Sequence, residues 1–305
     1  MSISFEGQVA IVTGAGNGLG RSHALELAAR GAKVVVNDLG GARDGSGASS
    51  AAADEVVALI KANGGDAFAH GANVAKYDEV QDMVNQTMEK WGRVDILINN
   101  AGILRDKSFA KMDIADFQLV MDVHVMGSVN CTKAVWDIMR EQNYGRILMT
   151  TSSSGLYGNF GQSNYGAAKM AVIGFMNTLV IEGHKNDIRV NALAPTAATR
   201  MTEDLMPQEV LDMLVPEAVT AGALTLVHKD SPNRTILAAG AGGYATAHMY
   251  ETNGIFLPQD QQTADHVQAA YDEINNPEGQ EEYIAGSKQA EKFLGKAMAY
   301  LQSQK

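Results

Sequence analysis

The chain has 305 residues and contains 24 Lys and Arg against 35 Asp and Glu, so its formal net charge at pH 7 is −11. This acidic balance disfavours a nucleic-acid-binding protein, because such binding relies on an excess of cations at the phosphates. Hydrophobic residues make up 46% of the chain and one cysteine is present, so the composition predicts a folded globular protein without internal disulfides or cysteine metal clusters.

Apolar runs of strand length alternate with amphipathic stretches of helix length along most of the chain. This alternation predicts βαβ units and a parallel sheet. Several strand runs, such as 34–36 and 96–98, are apolar without a break, as expected of strands covered on both faces. The predicted strands are 8–14, 33–39, 67–74, 94–98, 146–151 and 188–194, and the predicted helices are 19–30, 51–62, 78–90, 114–140 and 163–184.

Two segments interrupt the alternation. Residues 40–50 read GGARDGSGASS, and their Gly and Ser content predicts a flexible loop rather than a strand or a helix. Beyond residue 258 the chain is polar, with weakly helical stretches at 264–274 and 287–301. We therefore expect residues 1–258 to form one α/β domain with a doubly wound, Rossmann-type parallel sheet, and residues 259–305 to form a helical C-terminal extension.

A glycine-rich turn, TGAGNGLG at 13–20, directly follows the first predicted strand and opens a predicted helix. Glycines at such a turn let the backbone approach a pyrophosphate, while the start of the helix supplies free N–H groups and partial positive charge. A glycine turn alone is also compatible with a purely structural role. The candidate cofactor-binding residues in it are Thr13, Gly14, Asn17, Gly18, Leu19 and Gly20.

Asp38 closes the second predicted strand. A carboxylate at this place in a dinucleotide-binding unit can accept hydrogen bonds from an adenosine ribose and would repel a 2′-phosphate. No arginine stands at Gly16 or Asn17 in the turn, or at Leu39 after the acid, so NAD is predicted rather than NADP. The alternative for Asp38 is a helix cap or turn residue, and Arg43 in the loop is the feature that argues against NAD.

Tyr165 and Lys169 are four residues apart in a predicted helix, so their side chains share one helix face. An ammonium beside a phenol, together with the positive charge of a nicotinamide ring, could lower the phenol pKa from about 10 toward about 7, which corresponds to about 4 kcal/mol. Ser152 follows strand 146–151 at its carboxyl end, where ligands bind in open parallel sheets. Ser153 and Ser154 are alternatives to Ser152, and all three are compatible with a polar turn.

Together with the segment 99–102 (NNAG), these motifs resemble the short-chain dehydrogenase/reductase superfamily over about residues 6–245. The resemblance implies a nicotinamide cofactor and oxidation of a secondary alcohol. It implies that Tyr165 is the catalytic acid/base, that Ser152 orients the substrate, and that Lys169 lowers the tyrosine pKa and binds the nicotinamide ribose. It also implies cofactor contacts from Asn73, Val74, Asn100, Ala101, Gly102, Pro195, Thr196, Ala197 and Ala198.

Three positions depart from the pattern usual in that superfamily. His124 stands where many members have an asparagine that helps to hold a proton-relay water, and we interpret it as a catalytic variant acting through its backbone carbonyl. Asn73 replaces an aspartate that contacts adenine, which removes a charge but keeps the geometry. Thr196 follows Pro195 where a glycine is usual, so the backbone near the nicotinamide amide has less freedom.

Longer stretches at 36–41, 99–109 and 154–165 resemble the (3R)-hydroxyacyl-CoA dehydrogenase domains of type 2 peroxisomal multifunctional enzymes, and this resemblance thins beyond residue 243. It implies oxidation of a (3R)-3-hydroxyacyl-CoA. A 17β-hydroxysteroid or another bulky secondary alcohol is the alternative substrate, and a non-catalytic NAD-binding sensor or scaffold is the alternative of another class. Because the chain is acidic, binding of CoA would need a local basic patch, for which Arg105 and Lys107 are candidates.

The remaining expectations concern partners and location. The histidines show no metal-ligand spacing, so no metal site is predicted. Helices 114–140 and 163–184 resemble those that pair between subunits in the superfamily, so we expect a homodimer or homotetramer that acts on a small-molecule substrate and binds no nucleic acid. No signal-peptide pattern, apolar run of about 18 residues or terminal Ser-Lys-Leu is present, so we expect a cytoplasmic protein without a membrane span.

Overall fold

The structure is a computed structural model in which residues 2–197 and 207–304 are described. It contains an eight-stranded sheet whose first seven strands pair in parallel. The strands are β1 (Val9–Thr13), β2 (Lys33–Asn37), β3 (Ala67–His70), β4 (Ile96–Asn99), β5 (Gly145–Thr150), β6 (Ile188–Thr196), β7 (Ile236–Gly240) and β8 (Gly243–Ala247). Their order is β3-β2-β1-β4-β5-β6-β7-β8. The predicted parallel, doubly wound sheet is therefore confirmed.

Helices cover both faces of the sheet. On one face α1 contacts α2 and α9, and on the other α3 contacts α5 while α4 contacts α7. These helices are α1 (Gly18–Ala29), α2 (Ala51–Ala62), α3 (Tyr77–Trp91), α4 (Ile114–Met121), α5 (Gly127–Gln142), α6 (Ser153–Tyr157), α7 (Ser163–Gly183), α8 (Gln208–Leu211) and α9 (Pro216–Val227). All residues of β1, β4 and β5 are buried, as expected of strands covered on both faces.

The predicted helix 114–140 is interrupted at Asp122–Met126, where the chain forms a π-helical turn between α4 and α5. Within this turn the Ser128 hydroxyl donates to the carbonyl oxygen of His124 at 2.7 Å. A side chain that bonds to the backbone in this way competes with the regular ladder and bends a helix. Cys131 lies on α5 beyond this turn and is 1% exposed.

The predicted strand 67–74 ends at His70, earlier than expected. Beyond it the side chain of Asn73 accepts the N–H of Ala75 at 3.0 Å, and the N–H of Asn73 donates to Glu79 at 2.8 Å. These bonds turn the chain into α3 before the strand can continue. Most other predicted elements are confirmed, with ends that shift by a few residues.

The chain divides into two compact units, Met1–Thr246 and Ala247–Lys305. The second unit contains α10 (Ala264–Ala269), α11 (Tyr271–Ile274) and α12 (Ser287–Ser303). Glu251 pairs through its backbone with Glu281, and Lys292 and Lys296 of α12 donate to carbonyl oxygens of residues 252–254. These contacts join residues 251–254 to the C-terminal helices, so the division lies after Thr246, whereas the sequence analysis had placed it after residue 258. No helix in the described parts of the chain is long and apolar enough to cross a membrane.

Arg146, near the amino end of β5, is a buried charge with 1% exposure. Its guanidinium donates to the carbonyl oxygens of Asp187 and Lys229, both at 2.6 Å, and to the carboxylate of Asp187 at 3.0 Å. These contacts lie at the amino ends of the strands, on the side of the sheet away from the carboxyl ends. They join β5 to the segments before β6 and after α9.

We expect Arg146→Met to lower the free energy of unfolding by about 3 kcal/mol, because buried carbonyl and carboxylate oxygens lose their donors. The measurement is urea unfolding. Arg140→Met is the matched control, since the Arg140–Asp137 pair is half exposed and should cost under about 1 kcal/mol. Equal effects of the two substitutions would contradict a special role for the buried guanidinium.

Candidate active site

A cavity of about 470 Å³ opens at the carboxyl ends of β1, β4, β5 and β6. It spans the boundary between β1 and β4, where the strand order reverses direction, which is the usual ligand-binding position in open α/β sheets. The predicted site residues that line it are Gly14, Asn17, Gly18, Leu19, Asp38, Asn73, Val74, Asn100, Ala101, Gly102, His124, Ser152, Tyr165, Lys169, Pro195, Thr196 and Ala197. Thr13 and Gly20 do not line it, and Ala198 lies outside the described residues.

Thr13 and Gly20 support the glycine turn from behind. The Thr13 hydroxyl oxygen accepts the N–H groups of Asn100 and Ala101, both at 3.0 Å, and the Asn100 amide donates to the carbonyl oxygen of Thr13 at 2.9 Å. A Cβ on Gly20 would lie 2.2 Å from the carbonyl oxygen of Gly14, and one on Gly14 would lie 2.8 Å from the Cα of Ala101. Both positions therefore require glycine.

Asp38 lies beside the glycine turn, at the far end of the cavity from β5. Its carboxylate accepts the N–H of Gly16 and the N–H of Gly40, both at 2.7 Å. These bonds fix the carboxylate toward the cavity that it lines. A glycine-rich turn, the start of α1 and a fixed carboxylate together fit the pyrophosphate and adenosine ribose of a dinucleotide.

Lys169 lies on α7 below the opposite end of the cavity and is 4% exposed. Its ammonium donates to the carbonyl oxygen of Thr150 at 2.7 Å and lies 5.4 Å from the centre of the Tyr165 ring. Burial lowers the pKa of Lys169 to about 7. The hydroxyl of Thr150 is buried and has no partner in the described structure, so this part of the cavity has unused polar groups for a ligand.

Burial raises the pKa of Tyr165 to about 12, although a hydrogen bond from Ser152 favours the ionised phenol. The negative charge of Asp106 adds to the increase. The expected lowering toward 7 combined an ammonium with a cationic nicotinamide ring, and the protein's own groups do not achieve it. Loss of hydration outweighs the hydrogen bond from Ser152. The Lys169 ammonium donates to the carbonyl oxygen of Thr150 rather than to the phenol.

Of the three serines at the end of β5, Ser152 is best placed to act with Tyr165. It is the first residue before α6, and its hydroxyl oxygen accepts the N–H of Ser154 at 3.2 Å. Ser154 instead donates its hydroxyl proton to Gln162 at 2.8 Å, and Ser153 is exposed. This geometry favours Ser152 over the two alternatives named from the sequence.

The imidazole ring of His124 lines the cavity and contacts Ile103 and Tyr165. Its Nε2 lies 2.9 Å from the carbonyl oxygen and 3.1 Å from the nitrogen of Ile103, and its ring lies perpendicular to that of Tyr165 at 5.2 Å. Burial lowers its pKa to about 3, so the ring is neutral at pH 7. A Cβ on Gly102 would lie 2.3 Å from this ring, so His124 and Gly102 are fitted to each other. A role for its carbonyl remains a prediction.

The segment 40–50, which we call the strap, was expected to be a flexible loop and was not included in the site. The structure places its residues Ala42, Arg43 and Gly45 along the cavity. The carbonyl oxygen of Arg43 accepts the N–H of Leu104 at 3.1 Å, and that of Asp44 accepts from the Arg105 guanidinium at 2.7 Å. Glycine content carries no signal for such long-range contacts, so sequence patterns could not have placed the strap here.

The basic patch expected from Arg105 and Lys107 is not found as such. Both cations pair with the same carboxylate, that of Asp116, at 3.2 and 3.3 Å. Asp116 is 17% exposed, so this pairing offsets much of the positive charge near the site. Neither residue lines the cavity, and their shared partner on α4 could not be identified from chain position.

Lys169 makes stability depend on pH in a definite direction. Between pH 7 and 10.5 the unfolded chain holds a proton that the folded protein has lost, so the free energy of unfolding rises with pH. We expect a rise of up to about 1.4 kcal/mol per pH unit between pH 7 and 9 without cofactor, and its disappearance in Lys169→Met. Urea unfolding at several pH values measures this. The exposed Lys133→Met is the control, and a rise that survives in Lys169→Met would contradict the assignment.

Comparison with known proteins gives consistent matches. The family described as short chain dehydrogenase matches residues 8–210. Peroxisomal multifunctional enzyme A of Dictyostelium discoideum is 49% identical over 258 residues, covering 84% of this chain and 58% of that protein. The chain thus spans little more than half of that relative's length.

Two solved structures extend the comparison. Full-length peroxisomal multifunctional enzyme type 2 from Drosophila melanogaster is 36% identical with a TM-score of 0.82, covering 99% of this chain and 51% of that one. A 7α-hydroxysteroid dehydrogenase complexed with NADH and 7-oxo glycochenodeoxycholic acid is 30% identical with a TM-score of 0.70, covering 79% of this chain and 95% of that one.

Proposed function

Because the chain belongs to the short-chain dehydrogenase family, we propose that it oxidises the 3-hydroxyl group of a (3R)-3-hydroxyacyl-CoA to the ketone and uses NAD to do so. The observation that carries the proposal is the convergence of Ser152, Tyr165 and Lys169 at one end of a cavity whose other end is a glycine cradle. The similarity to the multifunctional enzymes supports the acyl-CoA substrate. A non-catalytic sensor or scaffold would be expected to lack one of these three side chains, and all three are present, so we favour an enzyme.

In the proposed reaction, Ser152, Tyr165 and Lys169 each have a separate role. Ser152 donates a hydrogen bond to the substrate oxygen and holds it beside the phenol. Tyr165 in its ionised form takes the hydroxyl proton, and the positive charge of Lys169 favours that form. The glycine cradle and Asp38 would hold NAD, which would supply the acceptor for the hydride and a further positive charge in the cavity. The hydroxyl proton leaves on Tyr165, so the alcohol loses one proton and one hydride.

The choice of NAD over NADP is supported by Asp38. Its carboxylate is fixed by Gly16 and Gly40, so it cannot easily turn away from a 2′-phosphate. Arg43 in the strap is the nearest argument for NADP, and it lines the same cavity. The similarity to a dehydrogenase complexed with NADH supports a nicotinamide dinucleotide in this cavity.

A steroid alcohol is the second candidate substrate. It is favoured by the similarity to the 7α-hydroxysteroid dehydrogenase and by the pairing of Arg105 and Lys107 with Asp116, which weakens the local case for CoA phosphates. The same three catalytic side chains would act on it. The two substrates therefore differ in binding and not in chemistry.

We propose that the catalytic unit is a homodimer or homotetramer. Exposed apolar side chains on α4 and α7, including Ile114 and Ile181, support pairing of these helices between subunits.

We also propose that the C-terminal unit is an extension and that the activity resides in the sheet-containing part, because every described residue that lines the cavity lies before Thr246. A cytoplasmic location stays a prediction, since relatives include proteins named as peroxisomal.

Initial rates of NAD reduction test the substrate. The panel is a (3R)-3-hydroxyacyl-CoA, its (3S) counterpart and a 17β-hydroxysteroid, and we expect turnover of the (3R) thioester. Tyr165→Phe and Ser152→Ala should each lower kcat by about 10²- to 10⁴-fold with little change in NAD affinity, whereas Ser153→Ala should change it little. Turnover of the steroid alone would reject the acyl-CoA substrate, and a fully active Tyr165→Phe would reject the assigned acid/base.

Asp38→Asn tests the cofactor. This substitution removes the charge that repels a 2′-phosphate, so the ratio of kcat/KM for NAD over that for NADP should fall by at least about tenfold. Asp44→Asn in the strap is the matched control and should leave the ratio unchanged. An unchanged ratio in Asp38→Asn would show that another residue selects the cofactor.

A further inference from the structure

Asn164 directly precedes the candidate acid/base and is completely buried. Its side-chain oxygen accepts the N–H of Tyr165 at 2.7 Å, and its amide donates to the carbonyl oxygen of Arg105 at 3.0 Å. The N–H of Tyr165 belongs to the first turn of α7, where backbone donors have no partner within the helix. Asn164 therefore ties the start of α7 to the segment that follows β4.

The same segment supports the strap from its other side. Leu104 donates its N–H to Arg43 at 3.1 Å, and the Arg105 guanidinium donates to Asp44 at 2.7 Å. A Cβ on Gly45 would lie 3.2 Å from Ile103, so the two segments pack closely. Residues 103–105 thus connect a wall of the cofactor cavity with the helix turn that carries Tyr165.

We propose that Asn164 is a positioning residue that couples the strap to Tyr165, so that binding of the dinucleotide under the strap fixes the phenol for reaction. The proposal rests on the proposed function, because it assigns the dinucleotide to this cavity. Contacts with the dinucleotide would restrict the motion of the strap, and the hydrogen bonds of the strap would restrict residues 103–105. The Asn164 amide would pass this restriction on to the start of α7. Such coupling is reciprocal, so loosening the Asn164 link should also weaken dinucleotide binding.

The variant that isolates this link is Asn164→Asp. Its carboxylate still accepts the N–H of Tyr165 but cannot donate to Arg105, so the helix start stays capped while the connection breaks. Asn164→Ser removes the amide without adding charge and serves if the aspartate variant does not fold. Asn191→Ser is the matched control, because Asn191 is also completely buried and donates to carbonyl oxygens, those of Leu226 and Pro232, away from the strap.

Amide hydrogen exchange and calorimetry with NAD provide a readout that needs no turnover. In the unmodified protein, NAD should slow exchange at least about tenfold in the strap, in residues 101–108 and in residues 163–167. In Asn164→Asp the strap should still be protected and residues 163–167 should not, and the NAD dissociation constant should rise several-fold. Equal protection of residues 163–167 in both proteins would overturn the proposal, as would an absence of protection in the strap of the unmodified protein.

A double-mutant cycle on kcat completes the test. Arg105→Gln loosens the strap without touching the carbonyl oxygen that Asn164 contacts. If the link is real, each substitution should lower kcat about tenfold or more, and the second should cost less than threefold once the first is present. Multiplicative losses would overturn the proposal. If no alcohol in the panel is oxidised, the exchange experiment still decides on Asn164, so failure of the substrate assignment is separable from failure of this proposal.

Discussion

The contact between Thr13 and Asn100 is the constraint on which the site depends. It joins the ends of β1 and β4 at the point where the strand order reverses, and it uses both side chains against backbone groups. The glycine turn is held open only because Gly14 and Gly20 can pack against this contact without side chains. The cavity, the direction of α1 and the position of the segment after β4 all follow from it.

A second feature is that burial disfavours the charged forms of both Tyr165 and Lys169 in the protein alone. Burial moves the Lys169 pKa down to about 7 and the Tyr165 pKa up to about 12. The two shifts have the same cause, the loss of hydration, and both disfavour charge. A positively charged ligand beside the phenol would therefore stabilise the phenolate, whose negative charge this buried environment disfavours. Binding of such a ligand and ionisation of Tyr165 would then favour each other.

Sequence patterns predicted the parallel sheet and most helices because those elements carry strong periodicity. The helix α2 has the predicted bounds, since its buried residues recur every three or four positions between Ser50 and Asn63. By contrast, α9 is buried on most sides and shows no apolar stripe, and β7 is rich in Ala and Gly rather than β-branched residues, so neither was predicted. The site residues came from motifs with fixed spacing. The strap, the Asp116 ion pairs and the Asn164 link depend on contacts between distant segments, which local patterns do not encode.

Cys131 has a practical consequence of its own. Burial raises its pKa to about 12, so the thiol stays protonated and weakly reactive at pH 7. Because it is the single cysteine of the chain, a thiol introduced on the surface would react with maleimide or iodoacetamide dyes almost without competition. A fluorophore could thus be attached to the strap at one known position, and its motion could be followed in solution without first removing a native thiol.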